Sequence, residues 1–224
     1  MNYFAHGIRY LDQPYFLAGT AVPDWLSVAD RKVRMRSKRA EPFNDGTDAI
    51  ESQIARGVLQ HLHDDGWFHE TRAFLETTAQ LGRQFREVLG TDDGFRAGFL
   101  GHIVTELLLD GVLIEKHPNA IDDYYNSMQE IEPGLIQQSV NQMAKFQTER
   151  LTHFIGLFQQ EQFLRDYVDP TRLLVRLNQV MRRIKLPLLP DITERILISG
   201  WDLVRNNADE LLPTDHFQSG FSAG

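Results

Sequence analysis

Gly98–Ile114 reads GFLGHIVTELLLDGVLI. Wound at about 3.6 residues per turn, Ile103, Val104, Leu107, Leu108 and Leu113 point in all directions, which is the pattern of a helix at the centre of a core. Three residues interrupt it: His102, Glu106 and Asp110, at i, i+4 and i+8. Each step of four turns the helix by only about 40°, so the three form one narrow stripe. A His and two carboxylates inside an apolar helix must be neutralised, because an unpaired buried charge is costly. A divalent cation would do this. Arginines would do it too, and then the chain would be a non-catalytic helical binding protein with a buried ion-pair network.

A second stripe favours the cation. Gly57–His69 reads GVLQHLHDDGWFH, with His61, Asp65 and His69 again at i, i+4 and i+8. Phe68 shares that face, so the face is expected to be half buried. Asp64 lies at its edge, and His63 lies on the opposite side. Residues eight apart are about 12 Å apart along a helix axis, so one ion is not expected to hold both ends of a stripe. The spacing predicts two ions, with Asp65 and Glu106 at the middle of their stripes as bridging carboxylates and catalytic candidates. Two ions about 3.5–4 Å apart can clamp the attacking and leaving oxygens of a phosphate ester. Imidazole mixed with carboxylate suits Mn, Fe or Zn.

Composition narrows the classes. The chain has 224 residues, 42% of them hydrophobic, a net charge of −8 and no cysteine. The length suits one domain with a sizeable core. The negative charge argues against nucleic-acid partners. Without cysteine there is no disulfide framework, no thiolate metal site and no Cys nucleophile. No basic n-region with an apolar run opens the chain and no stretch approaches 18 apolar residues, so neither signal peptide nor membrane span is expected and the default location is cytoplasmic.

Periodic segments read as helices throughout, and no run alternates as a strand would. The pattern predicts an all-α, single-domain bundle over 1–217 with a disordered tail at 218–224. Helices are expected at about 14–29 (broken or restarted at Pro23), 48–65 or beyond, 70–89, 93–116, 119–129, 133–158, 160–166, 170–185 and 191–209. Thr91-Asp92-Asp93 and Asp169-Pro170-Thr171 carry helix-start chemistry. A ferritin-like oxidase or metal store would need Glu-x-x-His pairs, which this chain lacks.

Arg31–Arg39 reads RKVRMRSKR, six cations in nine residues of an acidic chain. Such runs are usually solvated loops. The sharper reading is a patch, with Arg34 and Arg36 as its substrate-binding candidates, that holds an anionic substrate or acidic partner.

The chain opens MNYFAH, places Gly19 and Asp24 downstream, and then carries Gly57, Val58, His61 and Asp65 in the GVLQHLHDD helix. Over roughly its first half this order resembles the acyl-carrier-protein phosphodiesterase family, which opens M-N-[FY]-x-A-H and continues to a G-[IV]-x-x-H-x-x-x-D helix. That family is similar to the HD-type metal-dependent phosphohydrolases. The resemblance implies an HD-like helical fold and adds His6 and Asp24 to the metal candidates His61, Asp65, His69, His102, Glu106 and Asp110. Where the family usually has an Asp four residues after the helix Asp, this chain has His69. The GHIVTELLLD segment departs from the family's Asp-rich, Trp-containing helix and is also similar to the GHxxxExxxD pattern of zinc-dependent phospholipase C proteins. Together these features predict a dinuclear, metal-dependent phosphoric ester hydrolase. The expected substrate is a phosphorylated small molecule or a phosphopantetheinylated acyl carrier protein.

Overall fold

A computed structural model describes residues 1–90 and 93–217. Among them there is no β-strand, and the all-α class predicted from periodicity holds. The helices in chain order are α1 Tyr3–Gly7, α2 Pro14–Ala29, α3 Ser37–Ala40, α4 Ile50–Phe68, α5 Arg72–Leu89, α6 Ala97–Lys116, α7 Ala120–Gln129, α8 Pro133–Met143, α9 Leu151–Glu161, α10 Pro170–Ile184, α11 Glu194–Asn206, α12 Ala208–Leu211 and α13 Thr214–Phe217. The described residues divide between two compact units: residues 2–66 with 118–162 and 215–217, and residues 67–90 and 93–117 with 163–214 and Met1.

In the first unit, α2 and α4 touch backbone to backbone. A Cβ at Gly19 would lie 2.4 Å from the Ile54 carbonyl oxygen, and one at Gly57 would lie 2.1 Å from that of Phe16. Only glycine lets the two helices approach this closely. Pro23 sits inside α2 without ending it; its missing N–H leaves the Gly19 carbonyl without its usual helical donor. Fully buried aromatic rings fill the centre: Phe158 packs edge-on against Trp25 at 5.3 Å and tilted against Tyr125 at 5.8 Å.

The second unit is built around α6, which packs on α5, on α11 and on a 3₁₀ segment at Phe163–Val168. Gly101 meets α5 closely, where a Cβ would lie 2.4 Å from the Thr78 carbonyl oxygen. Leu100, Val104, Leu108, Leu109 and Val112 are buried, as an all-round apolar helix requires. By length and a mean hydropathy of 1.6, α6 is long and apolar enough to cross a bilayer, and 67% of that window is buried within the protein.

Several boundaries differ from expectation. The stretch read as one helix over 133–158 is α8 and α9 with a loop between them. Ala144 leaves the helix with extended backbone. The Asn141 side chain then bonds both backbone groups of Thr148, accepting from its N–H at 2.8 Å and donating to its carbonyl at 3.0 Å. Helix α6 begins at Ala97 after a 3₁₀ turn at Asp93–Phe95, with Arg96 left-handed at φ 49°. The start signal at Thr91-Asp92 and the tail at 218–224 lie outside the described residues. Asp169 caps α10 as predicted, accepting from the Arg172 N–H at 2.9 Å.

Candidate metal centres

Among the described residues, two groups of ligand-type side chains assemble, one in each unit: His6, His61 and Asp65, and His69, His102 and Glu106. In each, one ligand atom per residue lies within 4.8 Å of the others. The stripe on α4 is therefore shared out. The helix ends at Phe68, where Glu70 N bonds the Trp67 carbonyl and Thr71 N bonds the Phe68 carbonyl. His69 sits in this turn, off the α4 stripe. Thr71 fixes the turn, donating from Oγ1 to the Phe68 carbonyl at 2.9 Å and capping α5 by accepting from Phe74 N at 3.2 Å.

In the first group both imidazoles are buried, with His6 at 0% and His61 at 3% exposure. Their rings stack at 3.9 Å between centroids. His61 Nδ1 lies 2.8 Å from the Thr20 carbonyl oxygen. A carbonyl only accepts, so Nδ1 carries the hydrogen and the neutral ring keeps a lone pair on Nε2. The Gly19/Gly57 contact makes this bond possible by bringing α2 onto α4 at Thr20. His61 Nε2 then faces Asp65 Oδ2 at 3.4 Å, and His6 Nε2 faces Asp65 Oδ1 at 3.3 Å.

Behind His6 stands a second carboxylate. Asp64 is fully buried, accepts from Arg9 at 2.7 Å and from Gln60 at 2.8 Å, and lies 3.8 Å from His6 Nδ1. Burial would raise the Asp64 carboxyl, but His6 and Arg9 reverse this and hold it below its ordinary value. A carboxylate behind a ligating imidazole is a common orienting device in metal sites. The sequence had marked Asp64 only as an edge residue of the stripe. Arg9 carried no signal of its own beyond standing three residues after His6. His63 is exposed, on the far side of α4 as expected.

In the second group, Glu106 Oε1 has three nitrogen neighbours: His69 Nε2 at 2.8 Å, Met1 N at 3.2 Å and His102 Nε2 at 3.4 Å. The side chains are more open, with 32% exposure at His69, 43% at His102 and 15% at Glu106. Phe74 packs against both rings, 4.9 Å from His69 and 5.0 Å from His102.

The residues fit a divalent ion. Ligands about 2.0–2.2 Å from a tetrahedral metal lie roughly 3.3–3.6 Å from one another, and the 3.3 and 3.4 Å contacts to Asp65 fall in that range. Neither ring nitrogen of His6 makes a hydrogen bond of good geometry, although both are buried. Such groups are expensive to leave unsatisfied. Burial alone would raise the carboxyls of Asp65 and Glu106. The positive groups and imidazoles around them, His61 and His6 at Asp65 and His102 and His69 at Glu106, hold both far below the usual carboxylate range. They stay ionised, as ligands must.

Asp24 and Asp110 join neither group. Asp24 is half buried on α2, and Asp110 is fully buried one turn beyond Glu106. Arg34 and Arg36 line a separate cavity in the first unit with Lys32, Arg39, Lys145 and Phe146. Compared with family models, curated proteins and solved structures, the chain matches none.

Proposed function

We propose that this protein is a metal-dependent phosphoric ester hydrolase that holds one divalent ion, Mn, Fe or Zn, in each His₂-carboxylate group. The observation that carries the reading is the first group, where two buried imidazoles and a carboxylate converge and the Thr20 carbonyl fixes the His61 lone pair on Nε2. Ions bound there would supply Lewis acidity toward a phosphoryl oxygen and activate water for attack on phosphorus. The chain's own residues hold and orient. His6 and His61 present nitrogen lone pairs, and the Asp64–Arg9 pair backs His6 from inside the core. Asp65 and Glu106, held ionised, are ligands rather than proton acceptors at neutral pH. The resemblance to the acyl-carrier-protein phosphodiesterases favours a phosphorylated small molecule or a phosphopantetheinylated carrier protein as substrate.

Arginine neutralisation, the alternative reading, finds support at Asp64, which takes Arg9. At Glu106 the nitrogen partners are the Met1 amino group and two imidazoles. The test is a screen of protein loaded with Mn, Fe or Zn against phosphomonoesters, phosphodiesters and a phosphopantetheinylated carrier. Metal-dependent turnover of one class, lost in His61→Ala, is expected. Metal-loaded protein inert on all three classes would end the proposal.

A further inference from the structure

The basic run is anchored by two buried side chains. Residues 33–36 belong to no helix or strand, and burial alternates along them, with Val33 and Met35 buried at 1% and 7% exposure and Arg34 and Arg36 exposed. Lys32, Arg34 and Arg36 are exposed on either side of the buried Val33 and Met35. Arg39 follows on α3. The loop between α8 and α9 supplies Lys145 and Phe146, and the cavity enclosed by these six residues is about 320 Å³.

Three features mark it as more than surface charge. Among the described residues, the side chains of Lys32, Arg34, Arg36, Arg39 and Lys145 form no ion pair with a carboxylate. Five cations gathered without a counter-ion repel one another, a cost that a bound polyanion removes. The opposite wall is fixed in place, because the two Asn141–Thr148 bonds pin the loop that carries Lys145. Finally, Phe146 is 55% exposed, a large apolar ring left beside the cations, with the Lys145 ammonium 5.1 Å from its centroid. The volume lies at the lower end of small-ligand pockets, about 300–1,000 Å³.

We propose that this cavity binds a polyphosphate: a small molecule with two or more contiguous phosphate groups sits between the Arg34/Arg36 segment and Lys145, beside Phe146. Contiguous phosphates carry more charge and reach more of the five cations than a single phosphate does. The proposal does not rest on the metal reading, and its test is run with EDTA present so that the two can fail separately. Isothermal titration of the full chain with tripolyphosphate and with orthophosphate should show tripolyphosphate binding at least about tenfold more tightly.

Arg36→Glu and Lys145→Glu should each weaken tripolyphosphate binding by about tenfold or more. Lys38→Glu makes the same charge change at an exposed cation outside the cavity and should change the affinity by less than about threefold, as a screened surface charge does. ATP separates the sources of the polyphosphate. Binding tighter than tripolyphosphate and lost selectively in Phe146→Ala identifies a nucleotide; equal binding identifies a polyphosphate without a base. Absence of tripolyphosphate binding, or an equal loss in Lys38→Glu and Arg36→Glu, would overturn the proposal, the latter by showing only a diffuse basic face.

Discussion

The two ligand groups share a composition and differ in preparation. In the first, both imidazoles are buried, His61 is locked by the Thr20 carbonyl, and Asp64 and Arg9 stand behind His6. In the second, His69 and His102 are 32% and 43% exposed, and His69 Nε2 already contacts Glu106 at 2.8 Å. A carboxylate accepts, so that nitrogen carries the hydrogen and must give it up before it can ligate. The first group presents its lone pair in advance, and the second must rearrange. Fixed imidazoles bind metal with less reorganisation, so the first group should hold its ion more tightly and the second should exchange it more readily.

The comparison would break most visibly on the ligands themselves. His61→Ala should remove one of two bound ions and leave the Thr20 carbonyl unpaired in the core, at a cost of about 1–3 kcal/mol. His69→Ala should remove the other with little loss of stability. Metal analysis by plasma mass spectrometry, paired with thermal melts, reads both effects. Equal stability losses in the two variants would erase the distinction drawn between the groups.

Asp64→Asn sharpens the same contrast from behind the ligands. It keeps the shape and removes the charge that faces Arg9 and His6. Metal affinity of the first group should fall by about 10–100-fold, measured by competition with a chromophoric chelator, while the second group keeps its affinity. A parallel loss in both would mean that Asp64 acts on global stability instead.

The glycine contact comes next in size. Gly57→Ala forces a Cβ against the backbone of α2, where no side chain can move aside. It should destabilise the protein by about 1–3 kcal/mol and displace Thr20 from His61. Denaturant titration and metal content report the two parts. An unchanged midpoint with full metal content would show that the helices can separate at no cost.

Much of this was legible in the sequence. The apolar run over 98–114 marked the central helix, and the four-residue spacings found five of the six residues in the candidate groups; His6 came from the MNYFAH resemblance. What the spacing could not show is where a helix stops. His69 continues the stripe only on paper, because α4 ends at Phe68 and the Thr71 turn redirects it. The same blindness hid Lys145 and Phe146: read as part of one helix over 133–158, they could not be seen as the wall of a cavity. The Asn141–Thr148 pairing that breaks that helix spans seven residues and has no local signature.

The smallest expected effect is on acid stability. Asp64, Asp65 and Glu106 hold their protons less tightly folded than ordinary carboxyls do. Their stabilisation is therefore fully present above the unfolded-state values near pH 4 and drains away as pH falls below them. Melts of EDTA-treated protein from pH 6 to 3 should show a falling Tm, and the fall should be shallower in Asp64→Asn. A flat Tm across that range would mean that the carboxyls are not held low.

Anomalous diffraction from crystals grown with Mn or Zn, recorded on both sides of the metal edge, tests the central claim most directly. The account predicts one peak among His6 Nε2, His61 Nε2 and Asp65 and a second among His69, His102 and Glu106, with the higher occupancy at the first. Crystals soaked in either metal that show no anomalous density at either group would contradict it.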